Sequence, residues 1–198
     1  RSLIQTALRK YEVVRDQKKA AFGDWESARQ VAAETKWRAL NHLDEHLVSL
    51  VEKLEARGTK VHWASTAAQA RDIMLGIIRE RGAKSIIKSK AMTSEEIHLN
   101  DALESAGFEV VESDLGEYIV QLRKEAPYHI VFPAMHLTRD EISDLFEREL
   151  GSEPTQEPEE LTMIARRALR RKYLTADVGI TGCNFAIAET GMVSITEN

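Results

Sequence analysis

The stretch SIIKSKAMTSEEIHLNDALESAGFEVVE, residues 85–112, has a short β-type run at each end and a helical pattern between them. We predict strands at Ser85–Lys88 and Phe108–Glu112, and a helix at Glu95–Ser105 that Gly107 follows. The alternation continues on both sides, with strands predicted at Lys60–Ala64, Tyr118–Leu122 and Tyr128–Pro133 and helices at Ala67–Arg81, Arg139–Leu150 and Glu159–Tyr173. Short strands that alternate with helices indicate an α/β fold, a mainly parallel sheet covered by helices on both faces.

A long helical arm is predicted before this domain, over residues 1–57. Its main helix runs from Asp24 to Arg57, where leucines recur at spacings of three and four, at Leu40, Leu43, Leu47, Leu50 and Leu54. Asp24 is suited to be the N-cap of this helix, and Gly58 is suited to be the residue that follows its end. An earlier helix is predicted over Ser2–Ala21. The α/β domain then occupies residues 58–198.

Composition excludes several classes of protein. The net charge of −5 gives no reason to expect binding to nucleic acid or to an anionic membrane. No apolar run approaches the roughly 20 residues of a membrane helix, so we expect a cytoplasmic protein without a membrane span. Cys183 is the only cysteine, which excludes an intrachain disulfide and a cysteine-ligated zinc or iron-sulfur site within the chain.

The two ends of the chain suggest a fragment. Residue 1 is Arg rather than Met, and Gly191–Asn198 has the pattern of a strand with no turn after it. We therefore expect a longer native protein.

The sequence His42-Leu-Asp-Glu-His46 matches the H-x-x-E-H order of inverted zinc peptidases. Both histidines flank the leucine stripe of a charged helix, and no third ligand is evident nearby. We interpret them as surface residues of the helix and predict no metal site.

The segment Lys88–Glu96 follows a predicted strand and leads into a helix. Ligands of open α/β sheets bind where strand ends face helix N-termini, and Lys88 and Lys90 suit a carboxylate or phosphate. The alternative is an ordinary helix, capped by Thr93 with a capping box to Glu96, beside solvated lysines.

The segment Asp177–Gly191 combines three glycines with polar side chains. Four of these could line a pocket, namely Asp177, Thr181, Asn184 and Glu189. The alternative is structural, with Glu189-Thr190-Gly191 as a tight turn between two short strands. Cys183 is expected to be a small buried thiol rather than an exposed nucleophile.

Five cations stand in the seven residues Arg166–Lys172, at the end of a predicted helix. They complement the helix dipole, and no aromatic residues alternate with them as in a nucleic-acid site. A solvated helix face is the first interpretation, and contact with an acidic partner domain is the second.

Five blocks occur in an order that characterises a known family: Lys88-Ser-Lys90, Glu95-Glu-Ile-His-Leu-Asn100, Asp114-Leu-Gly-Glu-Tyr118, His129-Ile-Val-Phe-Pro-Ala-Met-His136 and Gly179-Ile-Thr-Gly-Cys-Asn-Phe-Ala-Ile-Ala-Glu-Thr-Gly191. With them the chain resembles the LUD domain of the lactate utilization protein B family, from the arm to the last residue. It departs from the family at Cys183, where alanine is usual, and at Leu137, where a basic residue is common.

The resemblance implies a fold like the NagB/RpiA/CoA-transferase group, at the front of a longer iron-sulfur protein. Such a protein works with two companion proteins to oxidise L-lactate to pyruvate. The resemblance places 4Fe-4S clusters after Asn198, so the chain by itself should hold no cofactor and be inactive. We also expect the arm to mediate contact with another copy.

Within that system the chain should bind a small hydroxy acid. The carboxylate of such an acid needs N–H or cationic donors, and the hydroxyl of the acid needs an acceptor. The predicted substrate-binding residues are Lys88, Ser89, Lys90, Thr181, Asn184 and Thr190, and the predicted catalytic residue is Glu189. The alternative is an acyl- or CoA-ester-handling or ligand-sensing domain without a redox role, in which Glu189 would attack a thioester.

Overall fold

The computed structural model describes residues 2–196, which form two compact units. One unit contains residues 2–61 and 183–196, and the other contains residues 62–182. The division predicted from the sequence, 1–57 and 58–198, stays a prediction.

The elements of the first unit are α1 (Ser2–Phe22), α2 (Trp25–Asn41) and α3 (Leu43–Glu55), with two strands near the other end of the chain. The second unit contains, in chain order, α4 (Ala67–Glu80), β1 (Ser85–Lys88), α5 (Met92–Glu96), α6 (Leu99–Ser105), β2 (Glu109–Glu112), α7 (Leu115–Arg123), α8 (Arg139–Leu150), α9 (Pro158–Thr175) and β3 (Val178–Ile180). The two strands of the first unit are β4 (Phe185–Ile187) and β5 (Met192–Ser194).

A long N-terminal helix, α1, opens the first unit, as predicted. Asp24 caps α2 by accepting a hydrogen bond from the backbone N–H of Ser27 at 3.0 Å. The single helix predicted from Asp24 to Arg57 is wrong, because the chain leaves helical geometry at His42, where φ is −126°. Just before this break the amide of Asn41 donates to the carbonyl of Trp37, a bond that competes with the helix ladder.

The strands β4 and β5 pair as an antiparallel hairpin, with Phe185 opposite Ser194. Its turn confirms the structural interpretation of Glu189-Thr190-Gly191, since the N–H groups of Thr190 and Gly191 both donate to the carbonyl of Ile187. Gly191 has a φ of +65°, which glycine adopts without strain. Of the strand predicted over Gly191–Asn198, only Met192–Ser194 is β structure, and residues 197–198 lie outside the described residues.

A three-stranded parallel sheet in the order β2-β1-β3 organises the second unit. Ile86 of β1 lies beside Val110 of β2 and Val178 of β3. The predicted strand at Ser85–Lys88 is confirmed, and the one at Phe108–Glu112 begins one residue later, at Glu109.

Helices cover both faces of this sheet. Adjacent residues of a strand point to opposite faces, and β2 shows the result. Val110 packs in a core with Ile78 of α4 and Leu103 of α6, whereas Val111 packs in a second core with α7, α8 and α9. The predicted α/β class is therefore confirmed, while the closer likeness to the NagB/RpiA/CoA-transferase group stays a prediction.

The strand predicted at Tyr118–Leu122 is wrong, because these residues lie in α7. Asp114 determines this local structure by accepting a hydrogen bond from the N–H of Glu117 at 3.1 Å, which caps the helix. Residues 117–120 of this helix are all buried. The run of apolar residues is typical of a buried strand, but its backbone is helical.

The segment Tyr128–Pro133 is a bent loop and not the predicted strand. The N–H groups of Val131 and Phe132 donate hydrogen bonds to the Nδ1 atom of His129, at 3.1 and 3.3 Å, instead of to a neighbouring strand. The predicted strand at Lys60–Ala64 is also wrong. It spans the boundary between the two units and connects them as irregular chain.

The helix predicted at Glu95–Ser105 is two helices, α5 and α6, because His98 adopts a left-handed conformation between them (φ 51°). The predicted cap is also wrong. Thr93 lies inside α5, which begins after Ala91 without a side-chain cap.

The basic run confirms its first interpretation as a solvated helix face, since Arg166, Arg167, Arg170 and Arg171 of α9 are exposed. Lys172 forms an ion pair with Glu109. No helix within residues 2–196 combines the length and apolar character needed to cross a membrane.

Candidate functional site

The carboxyl ends of the three parallel strands meet at one edge of the sheet. The strands end at Lys88, Glu112 and Ile180, and backbone hydrogen bonds of 2.8–2.9 Å extend the pairing to Ser89 and Ser113. This edge is where open α/β sheets bind their ligands.

Three of the predicted substrate-binding residues lie together here, and we call Ser89, Lys90 and Thr181 the sheet-end cluster. The hydroxyl of Ser89 donates to the hydroxyl oxygen of Thr181 at 2.8 Å, which joins the ends of β1 and β3. The ammonium of Lys90 donates to the backbone carbonyl of Val131 at 3.0 Å. The cluster therefore brings two hydroxyl groups and one cation to the edge of the sheet.

Gly182 allows close packing beside this cluster. A Cβ atom at that position would come within 2.9 Å of the Cβ of Ala91, closer than real side chains pack. This glycine thus lets the chain after β3 approach the chain after β1.

Lys88 lies behind the cluster and is buried, with 1% of its surface exposed. Its ammonium pairs with the carboxylate of Glu112 at 2.8 Å and donates to the hydroxyl of Ser94 at 3.1 Å. Asn100 donates to the same carboxylate oxygen of Glu112 at 2.6 Å. The charge of Lys88 is thus compensated inside the protein, and its contact with substrate stays a prediction.

Glu117, in the first turn of α7, is also buried, with 4% of its surface exposed. Its carboxyl has a pKa raised to about 7, first because burial disfavours the charged form and second because the carboxylates of Glu95 and Glu112 repel it, whereas Lys90 opposes the rise. A carboxyl with a pKa near neutrality can exchange a proton at physiological pH.

A cavity of about 730 Å³ opens beside β2, between α5, α6 and α7. We call it the acidic cavity, since its lining includes Glu95, Glu112 and Glu117. Its size lies within the range of ligand sites. No group of three His, Cys, Asp or Glu side chains is placed to hold a metal ion in the part of the chain that the structure describes.

The remaining predicted site residues, Asn184, Glu189 and Thr190, belong to the hairpin of the first unit. Asn184 accepts a hydrogen bond from the N–H of Thr196 at 2.8 Å, and Arg57 donates to the carbonyl of Thr190 at 2.5 Å. Glu189 is exposed in the turn. Their roles in binding and catalysis stay predictions.

Asp177 lies just before β3, and its hydrogen bonds give it a structural role, while its place in a pocket stays a prediction. Its carboxylate accepts hydrogen bonds from the N–H groups of Lys84 and Ser85 and from the Ser85 hydroxyl, at 2.8–3.0 Å. These bonds lower its pKa and fasten the start of β1 to the start of β3. Asp177 therefore acts at the opposite end of the strands from the sheet-end cluster.

Cys183 is exposed, so the prediction of a buried thiol is wrong. It lies just before the hairpin, where Phe185 and Ala186 are exposed too, and its thiol contacts the carbonyl of Phe185 at 3.0 Å. His42 and His46 are exposed, in agreement with their interpretation as surface residues.

Sequence reasoning missed the roles of Glu112 and Glu117. A signal for Glu112 was present in the sequence. The strand β1 ends in the cation Lys88 and the strand β2 ends in the anion Glu112, and parallel pairing places the two residues side by side. Glu117 gave no such signal, since its burial depends on α7 being a helix.

Comparison with known proteins agrees with the resemblance. A family model described as the LUD domain matches residues 47–198. Lactate utilization protein B of Oceanobacillus iheyensis is 47% identical over 176 residues, and the protein of that name in Bacillus subtilis strain 168 is 48% identical over 177 residues. Each match covers 89% of this chain and 37% of the relative, so the chain spans little more than a third of these curated relatives. No solved structure matches the chain.

Proposed function

The chain belongs to the LUD domain family, and from this membership we propose that it is the substrate-binding and scaffold domain of a cytoplasmic protein that takes part in oxidising L-lactate to pyruvate. The observation that carries the proposal is the identity of 47–48% to proteins named lactate utilization protein B. The sheet-end cluster is the site that we assign to the substrate.

The chemistry of the cluster fits a small hydroxy acid. The ammonium of Lys90 can pair with the carboxylate of lactate, and the hydroxyls of Ser89 and Thr181 can rotate to donate to it. These side chains bind and orient the substrate. Glu189 remains our candidate catalytic residue.

The electrons of lactate need an acceptor that side chains do not supply. The chain fits poorly as the holder of an iron-sulfur cluster, because Cys183 is its single cysteine and such clusters are bound mainly by several cysteine thiolates. We propose that 4Fe-4S clusters are held outside these residues and that companion proteins complete the system.

The helical arm is our candidate for contact with a second copy. None of the described residues of α2 is buried, and Trp37 is 68% exposed. Together with Val31 and Leu40, which are also exposed, it supplies apolar surface for a neighbouring chain.

The test of function is lactate oxidation by the intact protein together with its companions. The variant K90A should lower turnover roughly ten- to a hundred-fold, the effect of losing one charge-assisted contact of about 1.5–3 kcal/mol. K90R, which keeps the cation, should retain more activity. The matched control is K84A, an exposed lysine at the opposite end of the strands, and it should leave turnover unchanged.

The role of Glu189 is tested by E189Q in the same assay, where a loss of similar size is expected. Wild-type turnover in both K90A and E189Q would contradict the assignment. Hydrolysis of a CoA thioester that E189Q abolishes would favour the acyl-handling alternative instead.

A further inference from the structure

The outer face of α9 carries four cations that the chain leaves unpaired. We call these exposed residues the arginine face: Arg166, Arg167, Arg170 and Arg171. None of their guanidinium groups forms an ion pair or a hydrogen bond with another described residue. Exposed arginines elsewhere do find partners, as Arg29 does in Glu26 and Arg148 in Glu149. The four charges of the arginine face are therefore available to a partner molecule.

The spacing of these arginines disfavours the helix that carries them. Arg166 and Arg170 stand four residues apart, as do Arg167 and Arg171, and like charges at this spacing repel each other on a helix. No acidic residue follows Glu160 within α9 to compensate them. The helix dipole favours cations only in the last turn, and the first two arginines lie more than two turns before the end of α9. Helix stability thus gives no reason for the arginine face, and such local conflicts are expected at functional sites.

Exposed apolar side chains share this face of α9. Met163 is 44% exposed, Tyr173 is 55% exposed and Leu174 is 68% exposed. Met163 stands four residues before Arg167, and Leu174 stands four residues after Arg170, so helical spacing aligns them with the arginines. Arginine, tyrosine and methionine are enriched at protein–protein interfaces. The composition of this face is therefore that of a protein-binding surface.

A groove of about 480 Å³ adjoins the arginine face, beside the loop between α8 and α9. Its lining includes the apolar side chains of Pro154, Met163 and Ile164, and Arg167 joins the groove to the arginine face. Three carboxylic acids also line the groove: Glu153, Glu159 and Glu160. The groove is thus suited to an uncharged apolar side chain, whereas the arginines beyond it are suited to carboxylates.

Nucleic acids and membranes fit this surface less well than a protein does. Both are extended polyanions, which the net charge of −5 on the chain repels at long range. No aromatic residue stands between the arginines to stack on a base. A protein segment needs only a few carboxylates, and its apolar side chains can use the groove.

We propose that the arginine face and the groove dock a segment of a partner protein that carries several carboxylates and one apolar anchor. Guanidinium groups bind carboxylates through paired N–H donors, and the anchor packs beside Met163. This surface is separate from the sheet-end cluster, and the proposal does not depend on the function proposed above.

The test measures binding of labelled helical peptides to the intact protein by fluorescence anisotropy. The probe peptide has one leucine, followed by glutamates three, four, seven and eight residues later, which are the spacings from Met163 to the four arginines. One matched peptide has serine in place of the leucine, and a second has glutamine in place of each glutamate. We expect saturable binding of the probe and at least ~10-fold weaker binding of both matched peptides. Absence of saturable binding, or equal binding of the three peptides, would overturn the proposal.

The variant R166Q/R170Q removes two charges of the arginine face and should weaken binding of the probe at least ~10-fold. It should fold at least as stably as wild type, because it also removes a like-charge pair. The matched control is R79Q/R81Q, which removes two exposed charges at the end of α4 and should leave the affinity unchanged. Equal weakening in the two variants would mean that net charge alone attracts the probe, and would contradict the docking surface.

Two polyanions of other classes complete the test, an oligothymidylate with the charge of the probe and vesicles that contain phosphatidylserine. We expect both to bind wild type more weakly than the probe does. Tighter binding of either one that R166Q/R170Q abolishes would overturn the proposal in favour of a nucleic acid or a membrane.

Discussion

Lys88 and Glu112 form an ion pair that is almost completely excluded from water. Removing one partner of a buried pair leaves the other charge uncompensated, which typically costs about 3–5 kcal/mol. We therefore expect K88M to lower the free energy of unfolding by about that amount in urea titrations. The double variant K88M/E112Q removes both charges and keeps an acceptor for Asn100, so it should recover at least half of the loss. An equal free energy of unfolding in K88M and wild type would show that the ion pair does not stabilise the folded protein.

Glu117 makes stability depend on pH. Its carboxyl has a pKa of about 7 in the folded protein against an ordinary value of 4.5, because burial and the carboxylates of Glu95, Glu112 and Asp114 outweigh the attraction of Lys90. Between these two pH values the folded state keeps a proton that the unfolded state loses, so the free energy of unfolding falls as pH rises. Below pH 4.5 and above pH 7 this group adds no further change.

E117Q removes this dependence. Relative to wild type, the variant should gain roughly 3 kcal/mol at most between pH 4.5 and pH 8, because each pKa unit corresponds to about 1.4 kcal/mol. Urea unfolding at several pH values measures the difference, with E96Q as the control for loss of a charge. A constant difference across this range would contradict the raised pKa.

Among the elements, α3 and the hairpin turn depend on each other through Gly191. This residue is buried and has a positive φ, and Arg57 donates to its carbonyl at 3.0 Å. A Cβ atom there would come within 2.6 Å of the Cβ of Lys53 in α3. The turn is therefore fitted to the helix without room for a side chain.

The variant G191A should lower the free energy of unfolding by about 2–4 kcal/mol, from backbone strain together with overpacking. G58A is the matched control, because Gly58 also has a positive φ but has no neighbour within 4 Å. It should cost only about 1–2 kcal/mol. Equal losses in the two variants, measured by urea unfolding, would mean that the turn does not pack closely on α3.

The elements also show what a sequence can reveal. Ser85–Lys88 was predictable because Gly82 and the charged residues around it delimit a short apolar run. Tyr118–Leu122 was misinterpreted as a strand because a run of five residues is too short to show a helical period, although the N-cap at Asp114 marked the helix. The break at His98 follows from a left-handed backbone that local sequence does not specify.

Across the whole molecule, the sequence located the sheet edge but not the acidic cavity. Ser89, Lys90 and Thr181 were predictable because residues that follow parallel strands gather at one edge. The cavity depends on the separation of α5 from α6 and on the burial of Glu112 and Glu117. Those features arise from packing between separate elements, which the pattern within any one element does not record.

The claim that the sheet-end cluster binds lactate is tested most directly by calorimetric titration of L-lactate into the intact protein. Wild type should bind saturably, and K90A should weaken binding by roughly ten- to a hundred-fold, with K84A as the control at the other end of the strands. S89A and T181A should each weaken binding as well, since they remove the hydroxyls that meet at 2.8 Å. Equal affinity for L-lactate in wild type, K90A, S89A and T181A would contradict the assignment of this edge as the substrate site.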